Sequence, residues 1–133
     1  MGISTTAPHD LIESDLTSQI LGAAIDVHRA LGPGLLESAY QACMCRELTL
    51  RDIPFRSQVA LPVHYKGVHL DCGYRIDLVV RERAIVELKS VERLAPIHEA
   101  QLLTYLRLSR IRVGLPINFN VLLLPRGIIR RVL

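Results

Sequence analysis

Two adjacent runs decide how this chain folds: Tyr74-Arg-Ile-Asp-Leu-Val-Val80 and Ala84-Ile-Val-Glu-Leu-Lys89. Both have the apolar character of core strands, yet they carry Asp77, Glu87 and Lys89. An unpaired buried charge costs several kcal/mol, so such groups are normally paired with an opposite charge or bind a metal ion. An Asp followed ten residues later by Glu-x-Lys therefore indicates a divalent-metal site that hydrolyses phosphodiesters.

Strand alternation predicts how these three side chains meet. Alternate residues of a strand share a face, which puts Glu87 and Lys89 on one face about 7 Å apart and puts Asp77 on the face of Val79. If residues 81–83 close a hairpin between the two strands, Asp77 lies opposite Glu87. Two carboxylates opposite each other repel and destabilise a sheet. A bound cation would remove that penalty.

The chemistry of such a site follows from its residue types. Mg²⁺ takes one or two carboxylates, keeps several waters and binds the phosphate oxygens of a substrate. A bound ion polarises the phosphoryl oxygen and lowers the pKa of its water. Lys89 could orient the attacking water or stabilise the transition state. The alternative is structural, an ion pair of Lys89 with Asp77 or Glu87 at the rim of the sheet, and the three charges alone indicate it equally well.

Three further polar residues extend this set. Gln101 and Tyr105 lie four residues apart on the helix predicted after Pro96, where they could bind a phosphate or stack on a base. Their simpler roles are a solvated glutamine and a core aromatic. Glu37 follows the Gly32-Pro-Gly34 break and could add a metal or water ligand from a second helix. Its simpler role is to stabilise the positive end of that helix.

The remaining pattern predicts one domain over residues 15–133 behind a flexible tail of residues 1–14. Helices are predicted over 15–31, 35–51 and 96–109, and strands over 59–65, 84–91, 113–119 and 128–133, with one long strand or two short ones over 68–80. The element order is α-α-β-β-β-α-β-β. The first helix is expected to be capped by Asp15 or Thr17. Leu36, Tyr40 and Leu50 are expected to face inward from the second.

Composition excludes several classes of protein. Among 133 residues, 50% are hydrophobic, but no apolar run approaches the roughly 18 residues that span a bilayer. The first residues lack the pattern of a signal peptide, so the expected location is cytoplasmic. Three cysteines make a disulfide framework unexpected, and Cys43 and Cys45 are interpreted as small buried hydrophobes rather than zinc ligands. His28 is interpreted as structural, with a site role as the less favoured alternative.

A net charge of +3 is compatible with a polyanionic partner. The arginines that contribute most visibly form two clusters: Arg107, Arg110 and Arg112, then Arg126, Arg130 and Arg131. The apolar residues of 121–124 and 128–133 could pair with another subunit or complete the sheet.

These residues resemble a known family. Gly34-x-x-Glu37-x-x-Tyr40 is similar to the signature of the GxxExxY proteins, and the similarity extends over roughly residues 15–120, including Val86-Glu-Leu-Lys89 and Pro96-Ile-His-Glu-Ala-Gln-Leu-Leu-Thr-Tyr105. These proteins are grouped in the PD-(D/E)XK nuclease superfamily. The resemblance implies an α/β, restriction-endonuclease-like core with a central mixed β-sheet flanked by α-helices.

The resemblance also implies roles for site residues. Asp77, Glu87 and Lys89 would be the Asp…Glu-x-Lys triad, and Gln101-x-x-x-Tyr105 is similar to the Gln-x-x-x-Tyr motif of RecB-like nucleases. The implied ligands of Mg²⁺ or Mn²⁺ are Asp77, Glu87, Glu37 and the Leu88 carbonyl. The expected substrate is DNA rather than RNA. The alternative is a catalytically silent module that binds nucleic acid or regulates, acting with a partner chain or as a homo-oligomer.

Overall fold

The computed structural model describes residues 12–133, and in that range the chain forms three α-helices, a five-stranded mixed sheet and a separate two-stranded hairpin. The elements are α1 (Ser14–Leu31), α2 (Glu37–Leu50), β1 (Phe55–Ala60), β2 (Val63–Tyr65), β3 (Val68–Leu70), β4 (Arg75–Val80), β5 (Ala84–Lys89), α3 (Pro96–Ser109), β6 (Val113–Asn118) and β7 (Arg131–Val132), with a 3₁₀ turn over Leu124–Gly127.

The large sheet has the strand order β1-β4-β5-β6-β7. Its β5–β6 pair is parallel, with α3 as the crossover, and the other pairs are antiparallel. β6 is buried throughout, as expected for a central strand that helices cover on both faces. The predicted mixed sheet with flanking helices is therefore confirmed. Among residues 12–133, none of the helices combines the length and apolar character that a membrane crossing requires.

The β4–β5 hairpin has the register that the spacing predicts. Val80 pairs with Ala84 across the three-residue loop, and the ladder continues to Leu78 and Val86. The loop contains no glycine. Instead Arg81 and Glu82 take left-handed backbone conformations, with φ of 51° and 57°. The next residues along this register are Asp77 and Glu87, which therefore lie opposite each other.

Regular alternation breaks at Asp77. Ile76 and Val79 pack in the same cluster beneath α3, although residues three apart in a regular strand face opposite sides. The neighbouring strand is distorted at the same level, because Gln58 of β1 has φ 50° and its pairing with β4 is interrupted there. The prediction that Asp77 shares a face of the strand with Val79 is therefore wrong.

The two faces of the sheet carry different cores. The larger cluster joins α1 and α2 to the sheet and includes Ile20, Tyr40 and Val86. The smaller cluster joins α3 to the opposite face and includes Ile85 and Tyr105. The candidate carboxylates lie between these two cores.

Five strands precede α3, where the sequence predicts three. The run predicted over 59–65 is divided at Pro62, which cannot donate a backbone hydrogen bond to a ladder. The run over 68–80 is divided by a turn in which Asp71 Oδ1 accepts the Gly73 N–H at 2.9 Å and Gly73 has φ 79°. A turn at Lys66-Gly67 joins β2 to β3.

Several predicted details at the helix ends are wrong. α1 begins at Ser14, so Glu13 occupies the capping position and neither Asp15 nor Thr17 caps the helix. Leu36 and Leu50 are exposed rather than inward, because α2 begins at Glu37 and ends at Leu50. Residues 1–11 of the predicted tail lie outside the described residues.

The C-terminal segment completes the sheet. β7 pairs antiparallel with β6 through Val113↔Val132 and Gly114↔Arg131. Of the two roles considered for this segment, sheet completion is the one observed. Leu122 and Leu123 in the preceding loop remain exposed.

Candidate functional site

Where the β4–β5 hairpin opens, the carboxylate oxygens of Asp77 and Glu87 accept hydrogen bonds in place of backbone carbonyls. The Leu88 N–H donates to Asp77 Oδ2 at 2.8 Å, and the Asp77 N–H donates to Glu87 Oε2 at 3.2 Å. Each carboxylate thus accepts a backbone hydrogen bond from the other strand. These bonds hold the two acids together, although the two side chains would repel each other if both were ionised.

Burial controls the protonation of Glu87. Its side chain is only 5% exposed, and its pKa rises from 4.5 to about 9. Loss of solvation is the largest cause, followed by the charge of Asp77 and a side-chain hydrogen bond with Asp77. The charge of Lys89 acts in the opposite direction and is the smaller effect. Without a cation, Glu87 therefore holds a proton at neutral pH.

Lys89 lies half-buried at the end of β5. The ion pairs found within residues 12–133 include neither Lys89 nor the two acids. The structural alternative, in which Lys89 forms an ion pair with one of the acids, is therefore not what this arrangement shows. The ammonium group stays close enough to Glu87 to lower the carboxyl pKa.

Glu37 comes to the same region from the start of α2. Its Oε1 accepts the N–H of Ser90, the first residue after β5, at 3.2 Å. Glu37 and Asp77 also line one cavity of about 430 Å³, together with Gln41 and Gln58. We call this opening the acidic cavity. Glu37 thus lies on the same cavity as Asp77, and its role as a metal or water ligand stays a prediction.

Tyr40 fixes the loop that carries Glu37. Its hydroxyl donates to the Gly32 carbonyl at 2.6 Å and accepts the Leu35 N–H at 3.2 Å. Its ring stacks on Phe119 with centroids 4.4 Å apart. The Gly34-x-x-Glu37-x-x-Tyr40 pattern therefore has a local physical meaning: the tyrosine holds the loop in place, and the glutamate reaches from it to the end of β5.

Gln101 and Tyr105 lie on the other side of the carboxylates. Gln101 Nε2 donates to the Tyr105 hydroxyl at 3.0 Å. Tyr105 is 4% exposed, and burial followed by the charge of Glu87 raises its pKa. Smaller contributions come from Tyr74 and Asp77. Tyr105 is thus both a core aromatic and a close neighbour of the acids.

Three site residues have no place in the sequence prediction. Gln41 Nε2 donates to the Asp77 carbonyl at 3.1 Å, and Gln58 Nε2 donates to Asp77 Oδ1 at 3.4 Å. Gln41 lies four residues after Glu37, so helical spacing could have identified it. Gln58 depends on a backbone distortion that no pattern in the sequence indicates.

Asn118 is the third residue, and it supports the strand that carries the acids. Its Oδ1 accepts the Val91 N–H at 3.1 Å, and its Nδ2 donates to the Val91 carbonyl at 2.9 Å. Only 2% of Asn118 is exposed. A polar residue at the end of a fully apolar strand is the signal that could have identified it. It fixes the segment that follows Lys89.

His28 and the cysteines have structural surroundings. His28 Nε2 lies 2.7 Å from the Val121 carbonyl, and its ring lies beside Phe119. Cys43 and Cys45 are free thiols. Among residues 12–133, no three His, Cys, Asp or Glu side chains converge closely enough to hold a metal ion.

The residues present nevertheless fit a hard divalent cation. Asp77 and Glu87 lie together on the two strands, and burial, followed by the charge of Asp77, raises the pKa of Glu87, so a cation between them would favour the ionised form of Glu87. Oxygen donors of this kind suit Mg²⁺ or Mn²⁺, which complete their shells with water. Asp77 and Glu87 would hold the ion. Glu37 is turned toward Ser90, and the Leu88 carbonyl stays a predicted ligand.

Comparison with known proteins gives one match. A family model described as the PD-(D/E)XK nuclease superfamily matches residues 14–132. No match was found among curated proteins or among solved structures. The matched residues run from the first residue of α1 to the last residue of β7 and include every candidate site residue.

Proposed function

The chain belongs to the PD-(D/E)XK nuclease superfamily, and from this we propose that it is a divalent-metal-dependent nuclease that hydrolyses phosphodiester bonds, preferably in DNA. One observation carries the proposal. Asp77 and Glu87 interrupt the ladder of a core hairpin, and burial together with the charge of Asp77 raises the pKa of Glu87, so that ionising both acids costs stability. An arrangement with this cost in stability is typical of a functional site.

Each residue has a distinct proposed role. Asp77 and Glu87 hold Mg²⁺ or Mn²⁺, with Glu37 and the Leu88 carbonyl as further ligands. A bound ion would supply an activated water and neutralise charge on the phosphate. Lys89, which forms no ion pair with either acid, orients that water and stabilises negative charge developing on the substrate.

Gln101 and Tyr105 bind a phosphate of the substrate on the α3 side. Their side chains are already hydrogen-bonded to each other at 3.0 Å, which fixes both groups before substrate arrives. Pre-formed polar groups of this kind lose little entropy on binding. Membership of the GxxExxY proteins, a cytoplasmic location and assembly with a second subunit stay predictions.

The second candidate is a module that binds nucleic acid without cutting it. The observation that favours it is the small number of converging ligands, since Glu37 is bonded to the Ser90 N–H rather than aimed at the two acids. Such a module would show salt-sensitive binding to DNA with no metal-dependent cleavage.

Cleavage assays test the proposal directly. The purified protein is incubated with Mg²⁺ or Mn²⁺ and with single-stranded, double-stranded and branched DNA and the matching RNAs. Asp77→Asn and Lys89→Ala should each lower the rate by at least about a hundredfold. Asp52→Asn, which changes an exposed carboxylate away from the site, serves as the control and should retain full activity. Cleavage that persists in both site variants comes from a contaminant and contradicts the assignment.

Calorimetric titration with Mn²⁺ separates the two candidates from a purely structural role. Binding that is lost in Asp77→Asn and kept in Asp52→Asn supports a metal site. Absence of binding in a folded wild-type protein contradicts the metal-dependent nuclease.

A further inference from the structure

A second cavity lies on the α3 side of the sheet. It measures about 590 Å³ and lies between α3 and the β2–β3 hairpin. The residues that determine its character are His64, Tyr74, His98, Gln101, Tyr105 and Arg107. We call it the aromatic cleft. Tyr105 and Gln101 belong both to its wall and to the proposed phosphate site, and the charges of Glu87 and Asp77 raise the pKa of Tyr105, so this tyrosine connects the cleft to the carboxylates.

The charge of the aromatic cleft is opposite to that of the acidic cavity. Arg107 is exposed, and two histidines accompany it. Among residues 12–133, no Asp or Glu side chain lines the cleft, whereas Glu37 and Asp77 line the acidic cavity. A polyanion is therefore attracted to the α3 side of the carboxylates and repelled from the α2 side.

Tyr74 gives the cleft a surface for flat rings. It is 44% exposed, an unusual exposure for a large aromatic next to a core. Its ring meets Tyr105 in an edge-to-face arrangement, with centroids 6.2 Å apart, so Tyr105 supports one side of the Tyr74 ring while part of that ring stays exposed. The faces of tyrosine rings are the surfaces on which unpaired bases stack.

The hairpin side of the cleft is held in a defined position. His64 of β2 contacts His69 of β3, with ring centroids 3.6 Å apart. This contact joins the cleft residue to the opposite strand of the hairpin. Val63 and Leu61 below it are apolar and partly or fully buried, so the cleft has an apolar floor and a polar rim.

From these features we infer that the aromatic cleft binds an unpaired nucleotide of a single-stranded segment, with its base against Tyr74 and its phosphate near Arg107. The inference rests on the proposed function and specifies its substrate class: nucleic acid with a single-stranded portion next to the bond that is cut. The volume of the cleft is that of a small-ligand pocket, which suits one or two nucleotides rather than a duplex.

Binding is measured so that catalysis plays no part in it. Fluorescence anisotropy with EDTA present compares a labelled single-stranded oligonucleotide with a hairpin duplex of the same length. Tyr74→Ala should weaken single-strand binding about tenfold and duplex binding less than twofold. Tyr65→Ala is the matched control, because Tyr65 is also an exposed tyrosine but lies outside the cleft. It should change neither affinity by more than about twofold.

A second variant pair tests the phosphate contact. Arg107→Ala should lower the slope of log affinity against log salt by about one for the single strand. Arg46→Ala removes an equally exposed helical arginine outside the cleft and should leave the slope unchanged. Both pairs use exposed positions, so loss of folding does not confuse the result.

The outcomes are distinct. Equal weakening of single-strand and duplex binding by Tyr74→Ala overturns the inference, as does no weakening or no single-strand binding by the wild type. If the protein cleaves with metal but Tyr74→Ala does not change single-strand affinity, the proposed function stands and only the nucleotide site in the cleft is rejected. If Tyr74→Ala selectively weakens single-strand binding but the wild type shows no cleavage, the nucleotide site in the cleft is supported and the proposed nuclease activity is contradicted.

Discussion

The two halves of the β4–β5 hairpin have opposite designs. Near the turn, Val80, Val79 and Leu78 pair with Ala84, Ile85 and Val86 in a regular, fully buried ladder. One residue further on, side-chain oxygens of Asp77 and Glu87 accept the backbone N–H groups instead. The apolar half stabilises the fold, and the polar half costs stability to place two acids together.

The polar half is held by contacts from outside the hairpin. Gln41 of α2 and Gln58 of β1 donate to Asp77. Beyond the end of β5, Glu37 bonds to Ser90 and Asn118 bonds to Val91. A core hairpin can therefore carry a site when neighbouring elements supply the hydrogen bonds that its own ladder loses. If this is so, changes in the apolar half should affect mainly stability, and changes in the polar half should affect mainly the site.

Ile85→Ala probes the apolar half. Ile85 is fully buried beneath α3, and its truncation should lower the free energy of unfolding by about 3–4 kcal/mol through lost burial and a cavity. Urea denaturation measures this loss. Ile85→Val is the control and should cost about 1 kcal/mol. In the folded fraction, the Mn²⁺ affinity should stay within about twofold for both variants. A large loss of metal affinity in Ile85→Val would show that the halves are not separate.

Glu87→Gln probes the polar half through pH. The pKa of Glu87 is raised in the folded protein, from 4.5 to about 9, so the folded state binds the extra proton. Its contribution to stability is complete below about pH 4.5 and is lost as pH rises toward about 9. Without metal, this group alone should lower the free energy of unfolding by about 2–3 kcal/mol between pH 6 and pH 8.

The measurement is urea denaturation in EDTA at both pH values, with the wild type and the variant compared. Glutamine keeps the size of the side chain but does not titrate. The fall in the free energy of unfolding between pH 6 and pH 8 should therefore be absent in Glu87→Gln. Glu82→Gln changes an exposed acid in the turn of the same hairpin and should keep the wild-type slope. Identical slopes in the wild type and Glu87→Gln would contradict the burial argument.

The contrast between the two halves of the hairpin also explains which features the sequence could predict. The register of β4–β5 follows from a three-residue spacing between two apolar runs, and α3 begins at Pro96 because proline suits the first position of a helix. Both depend on local rules. The break of alternation at Asp77 depends on the positive φ of Gln58 in another strand, which is a tertiary effect that local patterns do not contain.

The candidate site shows the same limit. Asp77 and Glu87 are predictable as neighbours because they lie in one hairpin. The attachment of Glu37 to Ser90 is not, because it depends on a loop that Tyr40 fixes from Gly32 to Leu35. The exposure of Leu36 has the same origin, since that residue ends the loop rather than beginning the buried face of α2.

Asn118→Ala should loosen the segment after β5. The change removes the partner of the Val91 N–H and the shorter of two bonds to the Val91 carbonyl in a partly buried place, which should lower the free energy of unfolding by about 2 kcal/mol. Hydrogen exchange at Val91 should also accelerate. Asn120→Ala removes one longer bond to the same carbonyl, 3.4 Å, and should cost less than about 1 kcal/mol. Equal effects of the two changes would show that Asn118 does not hold this segment.

Tyr40→Phe has the smallest expected effect on stability and the most local one. The stacking on Phe119 stays, and only the bonds from the hydroxyl to Gly32 and Leu35 are lost, at a cost of about 1 kcal/mol. Because the loop then releases Glu37, amide exchange should accelerate at Leu35 and Ser90 but not in the ladder at Val79. Tyr65→Phe, at an exposed ring, is the control. Acceleration that reaches Val79 would mean that this loop stabilises the apolar half as well, and the contrast between the halves would no longer hold.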